Sequence, residues 1–403
     1  MLLKINKTQI QNYLTIRYDP SISNPNLASW VDFKPQSSDP SGKISEKLLV
    51  NSIKNSIPDT QTPISISLSS GIDSSICLAL LRKCFPKRKI FAICGVFEDG
   101  FDESIEAKKI ADTFSAEFKI LQMNSIFTNM PEIISITKRP RWNTYNHLIS
   151  KEARKNTNML ITGDGADELF GGYVFRYKKF LQLLKSKDNW MEKTKKYLEC
   201  HNRDWVPDQN KMFDKSIRFN WNKIYNIFKT YFQNKLDPIT QVMLADFNGK
   251  LLFDFMPTGK SISNHYKIKN IPIFLDDSVM SFAQKLPLSQ KFDEKNTKGK
   301  LVLRMISKRL GIKHIDEKKG FSPSLLFDWK KNGKSICQSF LLDKNSNIYA
   351  KNLINFDWVL MAFDKVEYDG DIRYLNRLIS ILALEIWIRL FITHEIKNSK
   401  KLL

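Results

Sequence analysis

Two short stretches of the chain gather the residue types that phosphate chemistry uses. The first is Ser69-Ser70-Gly71-Ile72-Asp73-Ser74-Ser75, preceded by Ile64-Ser65-Ile66-Ser67-Leu68. Isoleucines alternating with serines suit a short strand. Ile76, Leu78, Ala79, Leu80 and Leu81 follow and read as a helix that is apolar nearly all round, hence buried. A strand, a small-residue loop and a helix start point backbone N–H groups and the positive end of a helix dipole at one spot. Phosphate suits that spot, and the hydroxyls of Ser69, Ser74 and Ser75 add donors. Asp73 would repel a bare phosphate, which implies a Mg2+ between carboxylate and phosphate. The plainer alternative is a serine-rich turn and helix cap. The second stretch is Met159-Leu-Ile-Thr162-Gly163-Asp164-Gly165-Ala166-Asp167-Glu168-Leu169-Phe170-Gly171-Gly172-Tyr173. Here a strand runs into a loop with four glycines and three acids. Glycines permit close backbone approach. Acids crowded beside a buried strand call for a cation among them.

Neither a Gly-Lys-Ser/Thr P-loop nor a Gly-x-Gly-x-x-Gly turn occurs in the chain. Ser-Ser-Gly-Ile-Asp-Ser-Ser instead resembles the pyrophosphate loop of the ATP pyrophosphatases, usually Ser-Gly-Gly-x-Asp-Ser. Those enzymes cleave ATP between the α and β phosphates and adenylate an acceptor. The 159–173 stretch resembles the signature of the asparagine synthetase family almost letter for letter, at the family's spacing from the first loop. The resemblance covers roughly residues 45–395. It implies an α/β fold with a doubly wound parallel sheet of the adenine-nucleotide α-hydrolase (PP-loop) type, followed by a mostly helical C-terminal part. It also implies ATP and Mg2+. Leu68, Ser69, Ser70, Gly71, Ile72, Asp73, Ser74 and Ser75 would cradle the pyrophosphate. Thr162, Gly163 and Asp164 would contact the nucleotide, and Cys94 and Gly95 would hold adenine. Asp73 and Asp167 would ligate Mg2+. Lys318, in Lys318-Lys319-Gly320-Phe321, matches a family lysine that stabilises the transition state. The implied reaction is attack of a small-molecule carboxylate, aspartate by default, on the α-phosphorus. The acyl adenylate then passes to ammonia or another amine donor.

The match frays on the acceptor side. Ser70 stands where the family has Gly. In Lys269-Asn270-Ile271-Pro272-Ile273-Phe274-Leu275-Asp276, Lys269 replaces the family's Glu and Ile271 its Arg. Lys260-Ser261-Ile262-Ser263-Asn264 stands where the family has Asp-Arg-x-Ser-Met. Charge reversal beside reacting atoms changes which substrate is favoured. The runs Lys300-Leu-Val-Leu-Arg304 and Ala383-Leu-Glu-Ile-Trp387 resemble family helices and read as structural. Leu2 stands where a glutaminase nucleophile would be, and too few residues precede the first loop for a glutaminase domain. Ammonia is therefore expected free or from a separate glutaminase or other ammonia-supplying subunit.

The chain has 403 residues, 42% hydrophobic and 12% aromatic, enough for two or three domains around a large core. Five cysteines show no metal spacing, which with the lack of an apolar N-terminal signal core suggests a reduced, cytoplasmic protein. Leu378 to Ile392 is the longest apolar run. Glu385 and Arg389 interrupt it at helical spacing, so it reads as a buried helix and no membrane contact is expected. Five histidines form no ligand-spaced cluster, and only His265 lies near the altered acceptor stretch. The net charge of +21 suits a lysine-rich solvated surface, an acidic partner or a nucleic acid. Two other readings therefore stay open: a PP-loop enzyme that modifies tRNA, and a non-catalytic ATP-binding relative. The absent Cys-x-x-Cys opposes the first, and retention of Asp73, Asp167 and Lys318 the second.

The elements that must position these residues follow from periodicity. Strands are expected at 64–68, 89–97, 117–123 and 158–161, with helices between them. Strand–helix alternation implies a parallel sheet with both loops at carboxyl ends of strands. Further helices are expected at 43–57, 176–187, 190–200, 221–235, 239–254, 278–285, 298–310 and 372–396. The expected organisation is an N-terminal remnant or linker with one helix over 1–60, an ATP-binding α/β domain over 61–175, and a helical acceptor-side part over 176–403.

Overall fold

The computed structural model of the protein describes residues 4–100, 102–143, 145–201, 205–313, 323–398 and 400–402. The strands β1 (Ile64–Ser67), β2 (Ile90–Val96), β3 (Glu117–Gln122), β4 (Met159–Thr162) and β5 (Lys269–Pro272) form one parallel sheet in the order β3-β2-β1-β4-β5. The chain steps from β1 outward to β3, then returns to lay β4 on the other side of β1. Loops after β1 and β4 therefore diverge, and a crevice opens between them at the carboxyl edge, the switch point where such sheets bind ligands. Both stretches singled out by their residue types lie at that crevice.

β1 is central and buried on both faces. Ile64, Ile66 and even Ser65 are shielded, and the Ser65 hydroxyl accepts from Thr157 Oγ1 at 2.9 Å. Helix α3 (Ile72–Cys84) leaves the β1 loop with its first ten residues nearly all buried. β5 has no counterpart among the expected strands. Only Ile271 of its four residues enters the core, and Pro272 closes it, as suits an edge strand. It pairs Met159 with Lys269 and Thr162 with Pro272.

The helical part departs from expectation where the chain bends. The run expected at 221–235 is two helices, Trp221–Ile227 and Lys229–Phe232. Helix Pro238–Asp246 continues through a π-helical stretch, Phe247–Phe255, into helix Met256–Tyr266. Lys298 and Gly299 are not helical, as expected over 298–310, but pair antiparallel with Asp293 and Phe292. The helix proper is Leu301–Arg309. No helix among the described residues is long and apolar enough to cross a membrane. Within helix Ile372–Phe391, Glu385 accepts from the backbone N–H groups of Asn347 and Ile348 and from Arg389 Nε at 2.7 Å.

The first sixty residues hold two helices, α1 (Lys7–Ile16) and α2 (Lys43–Ser56), rather than one. Asn6 caps α1 by accepting from Thr8 N and Gln9 N. Ile10 and Leu14 enter the same core as helix Ile372–Phe391, and the Leu14 carbonyl accepts from the guanidinium of Arg377. Leu14 is 1% exposed. Leu14→Ala is expected to lower stability by about 2–5 kcal/mol in a denaturant titration. A loss below about 1 kcal/mol would show that α1 is not integral to the fold.

Candidate active site

The β1 loop is braced internally before any ligand arrives. Ser74 Oγ accepts from Ser69 N at 3.0 Å and lies 2.9 Å from Ser69 Oγ. Gly71 N donates to Ser69 Oγ, and Ser75 Oγ donates to the Gly71 carbonyl at 2.8 Å. No side chain caps the α3 N-terminus, which leaves its first N–H groups available to an anion. Ser70 N and Oγ both donate to Glu103 Oε2, at 3.0 and 2.9 Å. The extra Cβ and hydroxyl of Ser70 are thus turned onto Glu103, just ahead of α4 (Ser104–Thr113).

The β4 loop packs directly on that helix start. A Cβ on Gly163 would stand 3.0 Å from Asp73 Cβ and 3.3 Å from Ser74 N, tighter than ordinary contact. Thr162 Oγ1 donates to Asp164 Oδ2 at 2.9 Å. The short helix Ala166–Phe170 then carries Asp167 and Glu168. Asp73 and Asp167, one from each loop, converge on a single group: Lys300 Nζ lies 2.5 Å from Asp73 Oδ2 and 2.5 Å from Asp167 Oδ1. Lys300 is 4% exposed. It sits at φ 58°, ψ 38°, between strand Lys298–Gly299 and helix Leu301–Arg309, and its N–H donates to the Phe170 carbonyl. A Cβ on Gly172 would overlap both Asp167 Oδ1 and the Lys300 side chain.

Lys300 is the site residue that sequence reasoning missed. Its match to Lys-x-x-Leu-Arg reads in the sequence as part of a structural helix. The available signal was that match itself, placed directly after a glycine. The two carboxylates that meet at one ammonium also suit a divalent cation that takes its remaining ligands from phosphate oxygens and water. Among the described residues no group of three or more His, Cys, Asp or Glu could form a metal cage. Lys318 lies outside the described residues, and so does the rest of Lys318-Lys319-Gly320-Phe321.

Burial sets the charge of the acids beyond this pair. Asp164 is pushed above the usual carboxylate range by burial, against the donors Thr162 and Asn270. Glu168 is 2% exposed and raised to about 7, first by burial and next by the charge of Asp167. The Tyr173 hydroxyl donates to Glu168. The Arg176 guanidinium stacks 3.6 Å from the centre of the Tyr173 ring and bonds Asp246 at 2.7 Å. Tyr197 OH donates to the same Asp246 oxygen at 2.8 Å, and His201 lies against Arg176 at 2.8 Å. Burial pushes His201 well below its ordinary value, which leaves it neutral beside Arg176.

Two clefts flank the acids, one at the carboxyl ends of β2 and β3 and one along the edge strand β5. One of about 710 Å³ opens beyond β2 and β3, from Val96 and Gln122 across to Lys331. Cys94 and Gly95 lie in β2 just short of it. Cys94 is fully buried with its thiol pushed up to about 12, so any contact toward the cleft comes from backbone. The other cleft, of about 590 Å³, opens beyond β4 and β5, from Asp164 and Pro272 to helix Met256–Tyr266. Lys269 lies at the amino end of β5, exposed, with its ammonium on the Ser56 carbonyl at 2.8 Å.

Glu168 gives a pH test. Its folded-state value lies above the ordinary carboxylate value. Its contribution to stability is therefore present below about pH 4.5 and lost as pH rises through about 7. The melting temperature of the ligand-free protein is expected to carry a fall across that window that Glu168→Gln removes. An unaltered pH profile in the variant would mean that Glu168 ionises as an exposed acid does.

The sequence model of the family described as Asparagine synthase matches residues 45–389. Asparagine synthetase [glutamine-hydrolyzing] 1 of Bacillus subtilis is 25% identical over 372 residues, covering 81% of this chain and 57% of its own. A putative asparagine synthetase [glutamine-hydrolyzing] of Mycobacterium bovis is 24% identical over 363 residues, covering 82% and 55%. The chain thus spans about half the length of these curated relatives. The solved U34-tRNA thiolase of Methanococcus maripaludis aligns over 85% of this chain and 80% of its own at 12% identity. Its TM-score of 0.30 is too low to carry an argument. With the family match running from α2 through all five strands and into helix Ile372–Phe391, the chain belongs to the asparagine synthase family.

Proposed function

We propose that this protein is an ATP-dependent, AMP-forming ligase that activates a carboxylic acid and joins it to an amine. The observation that carries this reading is the convergence of Asp73 and Asp167 on Lys300 at the switch point of the sheet. Adenosine would lie toward the β2–β3 cleft and the triphosphate along the Leu68–Ser75 loop. The acceptor would approach from the β4–β5 side.

The chain's own groups then have defined work. The N–H groups at the start of α3 would face the charge that builds on the departing pyrophosphate, and the Lys300 ammonium, which lies between Asp73 and Asp167, would turn toward the phosphates where Mg2+ takes that place. Asp73 and Asp167 would hold Mg2+, which when bound neutralises phosphate charge and orients the leaving group. A carboxylate oxygen of the acceptor attacks the α-phosphorus as the bond to the β-phosphate oxygen breaks. Pyrophosphate leaves and the acyl adenylate remains. The amine nitrogen then attacks the acyl carbon, loses a proton, and AMP departs with the bonding pair. Lys318 keeps the role the resemblance gives it, stabilising the transition state.

Aspartate is the acceptor that the relatives' names indicate, and ammonia the simplest amine. The described cysteines do not provide a glutaminase nucleophile. All five thiols are raised by burial, which suits structural rather than reactive sulfur. Ammonia would reach the site from solution or from a glutamine-hydrolysing partner.

Pyrophosphate release from ATP and Mg2+, measured with carboxylic acids and an amine, tests the reading. Lys300→Met and Asp73→Ala are each expected to lower kcat on the order of 10²–10³, and chelation of divalent ions to abolish release. Full activity in Lys300→Met would remove the ammonium from the mechanism. Activity that persists under chelation would remove Mg2+.

A further inference from the structure

The β4–β5 cleft carries charge of one sign. Lys260 reaches it from helix Met256–Tyr266, Lys267 from the residue after that helix, and Lys269 from β5. All three are exposed. Asp164, at the inner end, is the only acid among the described lining residues. Burial holds its carboxyl toward the neutral form. The Ser56 carbonyl that accepts from Lys269 removes none of that lysine's charge. Phe255, Met256 and Leu275 give the cleft an apolar wall, beside the polar Ser263, Asn264 and Asn270. The cleft thus joins one buried acid, an apolar wall and three exposed lysines.

Its size is informative too. About 590 Å³ falls among pockets that hold ligands well beyond a four-carbon amino acid. An apolar body along that wall would release water, and an anion beside the lysines would meet their summed potential.

Resting on the ligase reading above, we propose that the acid activated here carries a second anionic group, separated from the reacting carboxylate by an apolar body. Lys260 and Lys267 bind that second group. The chain's departures from the family pattern at 260 and 269 both fall on the walls of this one cleft.

The test is pyrophosphate release from ATP and Mg2+ with hydroxylamine as the amine. The acids are the straight-chain diacids from succinate to sebacate, with aspartate and decanoate beside them. The value of kcat/KM is expected to rise with diacid length. For the longest diacids it should exceed that for aspartate and for decanoate on the order of tenfold. The KM for long diacids should rise with salt. Lys260→Glu combined with Lys267→Glu should cost about tenfold in kcat/KM for sebacate, through KM. Both lysines are exposed, and an unchanged melting temperature checks the fold. Preference for aspartate or decanoate, or an unchanged sebacate KM in the double variant, overturns the proposal. Silence with every acid, in protein that still binds ATP, overturns the ligase reading itself and this proposal with it.

Discussion

One ammonium between two carboxylates governs the carboxyl edge of the sheet. Asp73 and Asp167 come from loops that the topology sends in opposite directions, and without a cation between them they would repel at short range in a partly buried place. Lys300 meets that constraint, and the surrounding backbone is shaped around it. Gly163 lets the β4 loop touch the start of α3, and Gly172 leaves room for the lysine stem beside Asp167. The left-handed backbone at Lys300 is held by its bond to the Phe170 carbonyl and by the antiparallel pair just before it. Removing one partner of such a set leaves the other charges uncompensated, which is costlier than never having built the pair.

How much was legible followed from where the information resides. β1 and β4 are central strands, so isoleucine alternation and an apolar run marked them, and the loops after them are spelled out in glycines, serines and acids. β5 was not legible because an edge strand buries few residues. Ile271 alone enters the core, and the pairing that makes Lys269–Pro272 a strand is supplied by β4. Lys300 was legible as a family match but not as a site residue, because a single left-handed residue turns it out of the helix pattern that its neighbours Leu301 to Arg304 follow. α1 was hidden for a third reason. Its sequence is half polar, and its burial comes from partners far along the chain, Gln209 and Arg377.

The helical part is joined to the acids by a buried polar chain. Asp246 gathers Arg176 and Tyr197, Arg176 stacks on Tyr173, and Tyr173 donates to Glu168, one residue from Asp167. Asp246 is the residue at which Pro238–Asp246 gives way to the π-helical stretch. Each member holds its neighbour's orientation, and in a low-dielectric interior such a network is rigid when satisfied. It fixes the short Ala166–Phe170 helix, too short to hold its own direction, against the larger helices behind it.

That division of support explains why the two halves of the crevice differ. On the phosphate side every polar group answers to at least one other: Ser70 to Glu103, Ser74 to Ser69, Asp73 and Asp167 to Lys300, Glu168 to Tyr173. A substitution at any of them disturbs its partner, so the chemistry of pyrophosphate departure is tied to a fixed set of side chains. On the acceptor side Lys260, Lys267 and Lys269 are exposed, the last with its ammonium on the Ser56 carbonyl, and changing one leaves no buried charge behind. Exposed charges cost little to exchange, yet their combined field decides which ligand approaches. The fold can thus keep one way of activating an acid and alter which acid it activates, with the change confined to helix Met256–Tyr266 and the edge strand after it.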